Sequence, residues 1–415
     1  MRRTNTRARG SLYVAVLCIG MLVAVMGISS LVVVRLEGRE VEDIRDTEEA
    51  EHLSQAALEL GRLAIRTDSS WRTSYTSGTW GGARSFGRGT LAWRVVDEVD
   101  HNLANNVTDP VRLYGRGTVG GSVRVTSVVL VLTKIPLPAL GMAIHTQGQL
   151  HLRTGQSLKV SDAIASTNTQ LRNDGTITGN VEALTSSGTG TVTGTTTLGV
   201  SPKVFPDGSV ITLYANRGTV INPGSSIDKR VLSPASNPWG VPNPDGVYVI
   251  NTTADTTIQN SRIVGTLVIN CPGKKVTIQN TVLMQAGRPD YPVLIVNGNA
   301  VFNYNSSGVF LSETSLATNF NPPGTPYLGA DDSDQLDQYP SEIQGLVHVT
   351  GTLTCTNTPL VRGLVLVESS ASTDAVDLSG TVEIVYDSKL YTDPPEGYYT
   401  PEMSPQGGTR RREAQ

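Results

Sequence analysis

Four aspartates crowd one short stretch of this chain: Asp331, Asp332, Asp334 and Asp337. Ca²⁺ binds through several carboxylate oxygens, so these four are the metal candidate of the sequence. The stretch lacks the turn glycine and the closing glutamate of an EF-hand loop, and reads first as a solvated acidic loop. Glycoside hydrolysis needs two carboxyl groups flanking the scissile bond. Asp374, Asp377 and Glu383 are available for that role, but nothing in their spacing pairs them. The histidines, His52, His101, His145, His151 and His348, fall in no H-x-H, H-x-x-H or HExxH arrangement, so no transition-metal site is expected. No G-x-S-x-G elbow offers a serine nucleophile, and no phosphate-binding P-loop is present. The chain therefore reads as non-catalytic, with no cofactor. The net charge is −4 over 415 residues. No basic stripe interleaved with aromatics appears, which argues against nucleic acid as a partner.

The elements that would carry any site begin with an anchor. Ser11 to Val34 is a run of 24 residues without a charge, directly behind Arg2, Arg3, Arg7 and Arg9. About 20 apolar residues span the ~30 Å hydrocarbon core as a helix. Arginines on the N-terminal side hold that side in the cytoplasm, so the bulk of the chain is expected beyond the membrane. A secretory signal has a shorter apolar core, of ~7–15 residues, and a small-residue exit; here the run passes straight into Arg35-Leu36-Glu37. No proline interrupts residues 35–65, and apolar residues recur there at Leu36, Val41, Ile44, Leu53, Ala56, Ala57, Leu60, Leu63 and Ala64, near the period of one helical face. Residues 11–34 and 35–66 are thus expected to form one long rod, half in lipid. A plain anchor with a short stalk is the alternative.

Residues 67–146 read as a small antiparallel β region. Strand-like runs such as Thr90-Leu91-Ala92-Trp93-Arg94-Val95-Val96 and Val123 to Leu132 alternate with glycine-rich turns, and Trp71 and Trp93 are the expected core anchors. Residues 147–393 change character. Thr257-Ile258-Gln259-Asn260-Ser261-Arg262-Ile263 is echoed 20 positions later by Thr277-Ile278-Gln279-Asn280-Thr281-Val282-Leu283, and Gly345-Leu346-Val347-His348-Val349 by Gly363-Leu364-Val365-Leu366-Val367. Such a period fits one coil of a parallel β-helix, with a β-sandwich carrying coincidental repeats as the alternative. Stacking predicts Ile258 above Ile278 and Leu346 above Leu364 in an apolar interior, and an amide ladder from Asn260 to Asn280. Leu150-His151-Leu152, Leu158-Lys159-Val160 and Ile177 to Val181 fit as earlier turns of the same kind. Asn319 to Pro340 reads as a protruding loop, and residues 394–415 as a flexible tail. Cys18 lies in the apolar run; the sequence leaves open whether Cys271 and Cys355 pair. The fold class is mainly β behind a transmembrane helix: a small antiparallel region, then a parallel β-helix.

A basic leader ending Arg7-Ala8-Arg9-Gly10, followed by Ser11-Leu12-Tyr13-Val14-Ala15-Val16-Leu17 and an amphipathic continuation with Ala50-Glu51-His52-Leu53-Ser54-Gln55-Ala56-Ala57, resembles the N-terminus of type IV pilin-like proteins. It is most similar to PilX-like and minor type II secretion pseudopilins, over roughly the first 65 residues. The resemblance implies a leader at residues 1–10 and cleavage by a prepilin peptidase between Gly10 and Ser11. It also implies packing against other pilin-like subunits through the helix, and a structural role in the inner membrane with the bulk periplasmic or extracellular. The family's glutamate at the fifth position of the mature helix is Ala15 here, as it is absent from several minor pseudopilins. The alternative from another class is a membrane-tethered β-helix protein that binds or cleaves polysaccharide.

Overall fold

In the computed structural model the described residues are 7–414, with the backbone alone for residues 7–11. The first six residues of the expected leader lie outside them. The chain divides into two units: residues 1–133 with 401–415, and residues 134–400 between them.

The first unit is built on one unbroken helix, Arg7–Thr67. Its residues from Leu12 to Arg45 are exposed, and a buried stripe begins only at Ala50. That stripe is Ala50, Leu53, Ser54, Ala57, Leu58, Gly61 and Ile65, at the three- and four-residue steps of one helical face. The expected face is therefore half right: Leu53 and Ala57 are inside, whereas Leu36, Val41, Ile44 and Leu63 are exposed. The stripe lies on an antiparallel sheet ordered 84–86, 89–97, 111–119, 122–136 and 399–405.

Small residues on both elements explain how close helix and sheet come. Val111–Val119 buries every second residue, and the inward positions include Gly115 and Gly117. A Cβ on Gly115 would stand 2.2 Å from the Ser54 carbonyl oxygen, and one on Gly117 2.1 Å from that of Ala50. Backbone therefore lies against backbone, and only glycine fits. Ser54, buried in this contact, shares a 2.7 Å hydroxyl hydrogen bond with Thr126. Trp71 and the partly buried Trp93 pack with Leu58, Val95, Leu113 and Leu130 as expected.

The segment read as a flexible tail is instead part of this sheet. Tyr399–Pro405 neighbours Ser122–Pro136, and Arg411 and Arg412 pair with Ser127 and Thr126. A strand edge left open by Ser122–Pro136 gives the tail's backbone groups partners that its polar side chains do not announce.

The second unit is a parallel solenoid in which short strands stack in three ladders. Interior side chains form columns. One runs Tyr248, Leu267, Leu294, Val347, Val365, Ile144, Ala165 and Val181. Another runs Ile227, Ile258, Ile278, Phe302, Cys355, Leu378 and Leu152. Full burial of each such side chain contributes ~1.5–3 kcal/mol.

Both columns show that stacking order differs from chain order. The chain enters at Ile144–Thr146, which lies directly on the strand Leu360–Val367 from near its other end. It winds outward through Leu150–Leu152, Ser157–Thr167 and Thr176–Ala183 to a terminal coil at Thr185–Leu198. It then crosses to the opposite end, Thr219–Val220, and winds back to the middle. The crossover carries the helix Ser209–Arg217. Its Val210 and Tyr214 cluster with Val247, Val249, Val268, Ile295, Leu346, Leu364 and Leu366, the outward face of one ladder.

This arrangement bears out one expectation and corrects two others. The upstream turns are coils of the same kind, as expected, and they stack on the last ones, Leu150–Leu152 on Val376–Leu378 and Leu158 on Val382. Ile258 and Ile278 do stack in the interior, but Leu346 and Leu364 face outward beneath the crossover, and Val347 and Val365 line the inside. The amide ladder belongs to Gln259 and Gln279, at 2.6 Å. Asn260 and Asn280 take φ of 47° and 60° instead and turn the chain; asparagine tolerates that conformation better than most residues. Cys271 and Cys355 are buried and unpaired, and burial raises both thiols above the usual range.

Candidate functional site

The feature that dominates the first unit is the exposed half of its helix. Leu12, Val16, Ile19, Leu22, Val23, Val25, Met26 and Val32 are each more than half exposed, and they point to all sides of the helix. A helix apolar all round needs a nonaqueous environment, which lipid or like helices supply. By length and composition it is the one helix among the described residues able to cross a membrane. The helix passes through residues 10 and 11 without a break. The side chains flanking the expected Gly10–Ser11 cleavage site lie outside those described.

The aspartates singled out in the sequence are not brought together around one point. Asp331 accepts from the Gly324 amide at 2.7 Å, Asp332 from that of Asp334 at 3.2 Å, and Asp334 from that of Leu336 at 2.9 Å. Asp337 instead accepts from the Asn321 side chain at 3.0 Å. Asp332 and Asp334 thus close local turns, while Asp331 and Asp337 accept from groups across the loop. The loop that carries them is held from beneath. Arg262, 2% exposed, donates to the carbonyls of Phe320, Thr325 and Pro326 at 2.7–2.9 Å. Its guanidinium also faces the rings of Tyr327 and Tyr339. The buried Glu313 accepts from the Phe320 amide, the Tyr339 hydroxyl and the Asp337 amide. A protruding loop read from proline and aspartate is therefore an ordered substructure, and Arg262, inside the sequence repeat, is the residue that the repeat reading passed over.

The carboxylates considered for glycan cleavage lie where the first coil meets the last. Asp374 and Asp377 bind Arg153 at 2.8 Å each. Asp374 also meets His151 at 2.6 Å, and Glu383 meets Lys159 at 2.6 Å. Burial pushes the Asp374 carboxyl up, but the His151 hydrogen bond and the Arg153 charge outweigh it and leave it below the usual range. A general acid needs the opposite shift. These groups are charge pairs across the seam of the solenoid.

His145 and His348 lie on the outward face of one ladder. His145 is fully buried and meets the Ser166 hydroxyl at 2.9 Å, which donates onward to Glu182 at 2.7 Å. Phe205 stacks on the ring. Burial, and then the charge of Lys203, push His145 down to about 4. His348 is held between the Tyr398 hydroxyl at 3.0 Å and Glu368 at 2.8 Å.

No protein-family profile matches the chain, and no curated protein does. Among solved structures, the competence-associated pilin ComZ from Thermus thermophilus aligns over 89% of this chain and 98% of its own, at 13% identity and a TM-score of 0.26. A score of that size does not establish a common fold.

Proposed function

We propose that this protein is a membrane-anchored structural subunit of the pilin or pseudopilin type, with residues 11–34 in the inner membrane and the solenoid carried beyond it as an interaction surface. One observation carries the reading: a single helix is bare and apolar over its first half and docked on an antiparallel sheet over its second. Such a helix joins a lipid-embedded segment rigidly to a folded head, as an assembly of parallel subunits requires. The pilin-like pattern at Arg9-Gly10-Ser11 adds a prepilin peptidase as processing partner, and PilX-like and minor type II secretion subunits as the nearest functional class. Ala15, in place of an acidic residue, suits a minor subunit better than a main fibre-forming one. Polysaccharide recognition has no observation of its own in favour, because the acids considered for it are spent on Arg153, His151 and Lys159.

The test is N-terminal mass spectrometry of the full chain expressed with and without an active prepilin peptidase. The expected mature N-terminus is Ser11 in the first case and Met1 in the second. An unprocessed N-terminus in both cases removes the peptidase and the pilin class from the proposal.

A further inference from the structure

The strands Gly89–Asp97 and Val111–Val119 are antiparallel neighbours with Asp97 opposite Val111, so the loop between them starts and ends at one place. Asp97, Asp100 and Asp109 each bring a carboxylate oxygen there, all within 4.8 Å of one another. Asp97 is fully buried. Its Oδ1 accepts from the amides of Val99 at 2.8 Å and Asp100 at 3.4 Å, while its Oδ2 is buried with no hydrogen-bond partner. A bare carboxylate oxygen out of water is costly unless a cation compensates it.

Arg72 is the nearby protein cation, and its charge acts on Asp97 and Asp109. Its guanidinium is committed elsewhere. It donates to the carbonyls of Leu103, Val107 and Asp109 at 3.2, 3.0 and 2.9 Å, which folds the loop rather than capping the carboxylates. Three carboxylates against one guanidinium leave two negative charges unbalanced. Asn105 donates to Asp100 and Asn106 to Asp109 at 2.7 Å, which ties both acids to the loop.

We propose that Asp97, Asp100 and Asp109 form a Ca²⁺ site that closes this loop on the head unit, with the unpartnered Oδ2 of Asp97 as the inner ligand. All three donors are hard carboxylate oxygens, which suits Ca²⁺, and no imidazole or thiolate joins them to favour a transition metal. Ca²⁺ accepts irregular sets of 6–8 oxygens, with water completing the shell, whereas Mg²⁺ demands a near-ideal octahedron. The site is independent of the function proposed above and differs from the Asp331–Asp337 stretch, whose carboxylates are taken up by amides of their own loop.

The experiment is calorimetric titration of the full-length protein in detergent, stripped with EDTA, using CaCl₂ and separately MgCl₂. One Ca²⁺ site is expected, with a dissociation constant of about 10⁻⁵–10⁻³ M and at least tenfold weaker Mg²⁺ binding. Asp97→Asn, which keeps both turn hydrogen bonds, and Asp109→Asn, which lies nearer the surface, each weaken Ca²⁺ at least tenfold. Asp331→Asn combined with Asp334→Asn leaves it unchanged. Absence of saturable Ca²⁺ binding in the parent protein overturns the proposal. So does binding that survives Asp109→Asn, or that disappears with the Asp331/Asp334 pair.

Discussion

The head and the solenoid solve the burial of β-structure in opposite ways. In the head, a sheet covers a helix, and the contact depends on what is missing: Gly115 and Gly117 let the strand backbone rest on the backbone of Ala50 to Leu58. In the solenoid, the sheet covers itself, and the contact depends on what is present: each interior side chain rests on its counterpart one coil away. The head is therefore intolerant of added atoms, and the solenoid of removed ones.

Substitutions in the two units test that contrast. The largest effect is expected from Gly117→Val, whose Cβ has no space between the strand and the Ala50 carbonyl. A loss on the order of 4 kcal/mol or more in the head is expected, read by limited proteolysis within residues 84–133 while the solenoid stays protected. Equal protection of the head in parent and variant would break the comparison. Phe302→Ala does the reverse. It empties a position between Ile278 and Cys355 and is expected to cost about 3–5 kcal/mol, confined to the solenoid in hydrogen exchange.

His145 gives the solenoid a pH dependence. Its folded value, about 4, lies below the unfolded value of about 6.5. The neutral form is favoured by folding, so the contribution is fully present above pH ~6.5 and is lost as the pH falls toward 4. The loss is on the order of 3 kcal/mol, and His145→Leu should flatten the denaturation profile over that window. An unchanged slope would mean that the ring is charged without penalty. The smallest effect belongs to the seam pair Lys159–Glu383, whose side chains are 55% and 38% exposed. Lys159→Ala is expected to change stability by less than about 1 kcal/mol.

What the sequence made legible was local. The apolar run, the helix that follows it, and the Thr257-Ile258-Gln259 and Gly345/Gly363 repeats all express periods within a few tens of residues. The order of the coils is not legible that way. A coil stacks on any coil of matching shape, so Ile144 can sit on Val365 as well as on a sequence neighbour. The decisive segment is the crossover 199–218, whose nine-residue helix is too short for its apolar residues to reveal a helical period. The Gly115 and Gly117 pair did carry a signal, glycine at both inward positions after Leu113, but its meaning depends on a helix more than 50 residues away in sequence. The tail was missed because Thr400, Glu402 and Ser404 look solvated, and only the open edge of Ser122–Pro136 makes a strand of them. Likewise Asp97 and Asp109 stand twelve residues apart and meet only through the register of their hairpin.

The central claim is that residues 11–34 stay with the mature protein as its membrane anchor. Alkaline carbonate extraction of membranes holding the full chain, beside Val25→Arg, tests it most directly, because a charge at the centre of the helix costs about 2.5–3.5 kcal/mol. The parent protein should remain entirely in the membrane pellet with its helix intact, and the variant should be partly released. Recovery of the parent in the supernatant, beginning beyond Val34, would contradict the account.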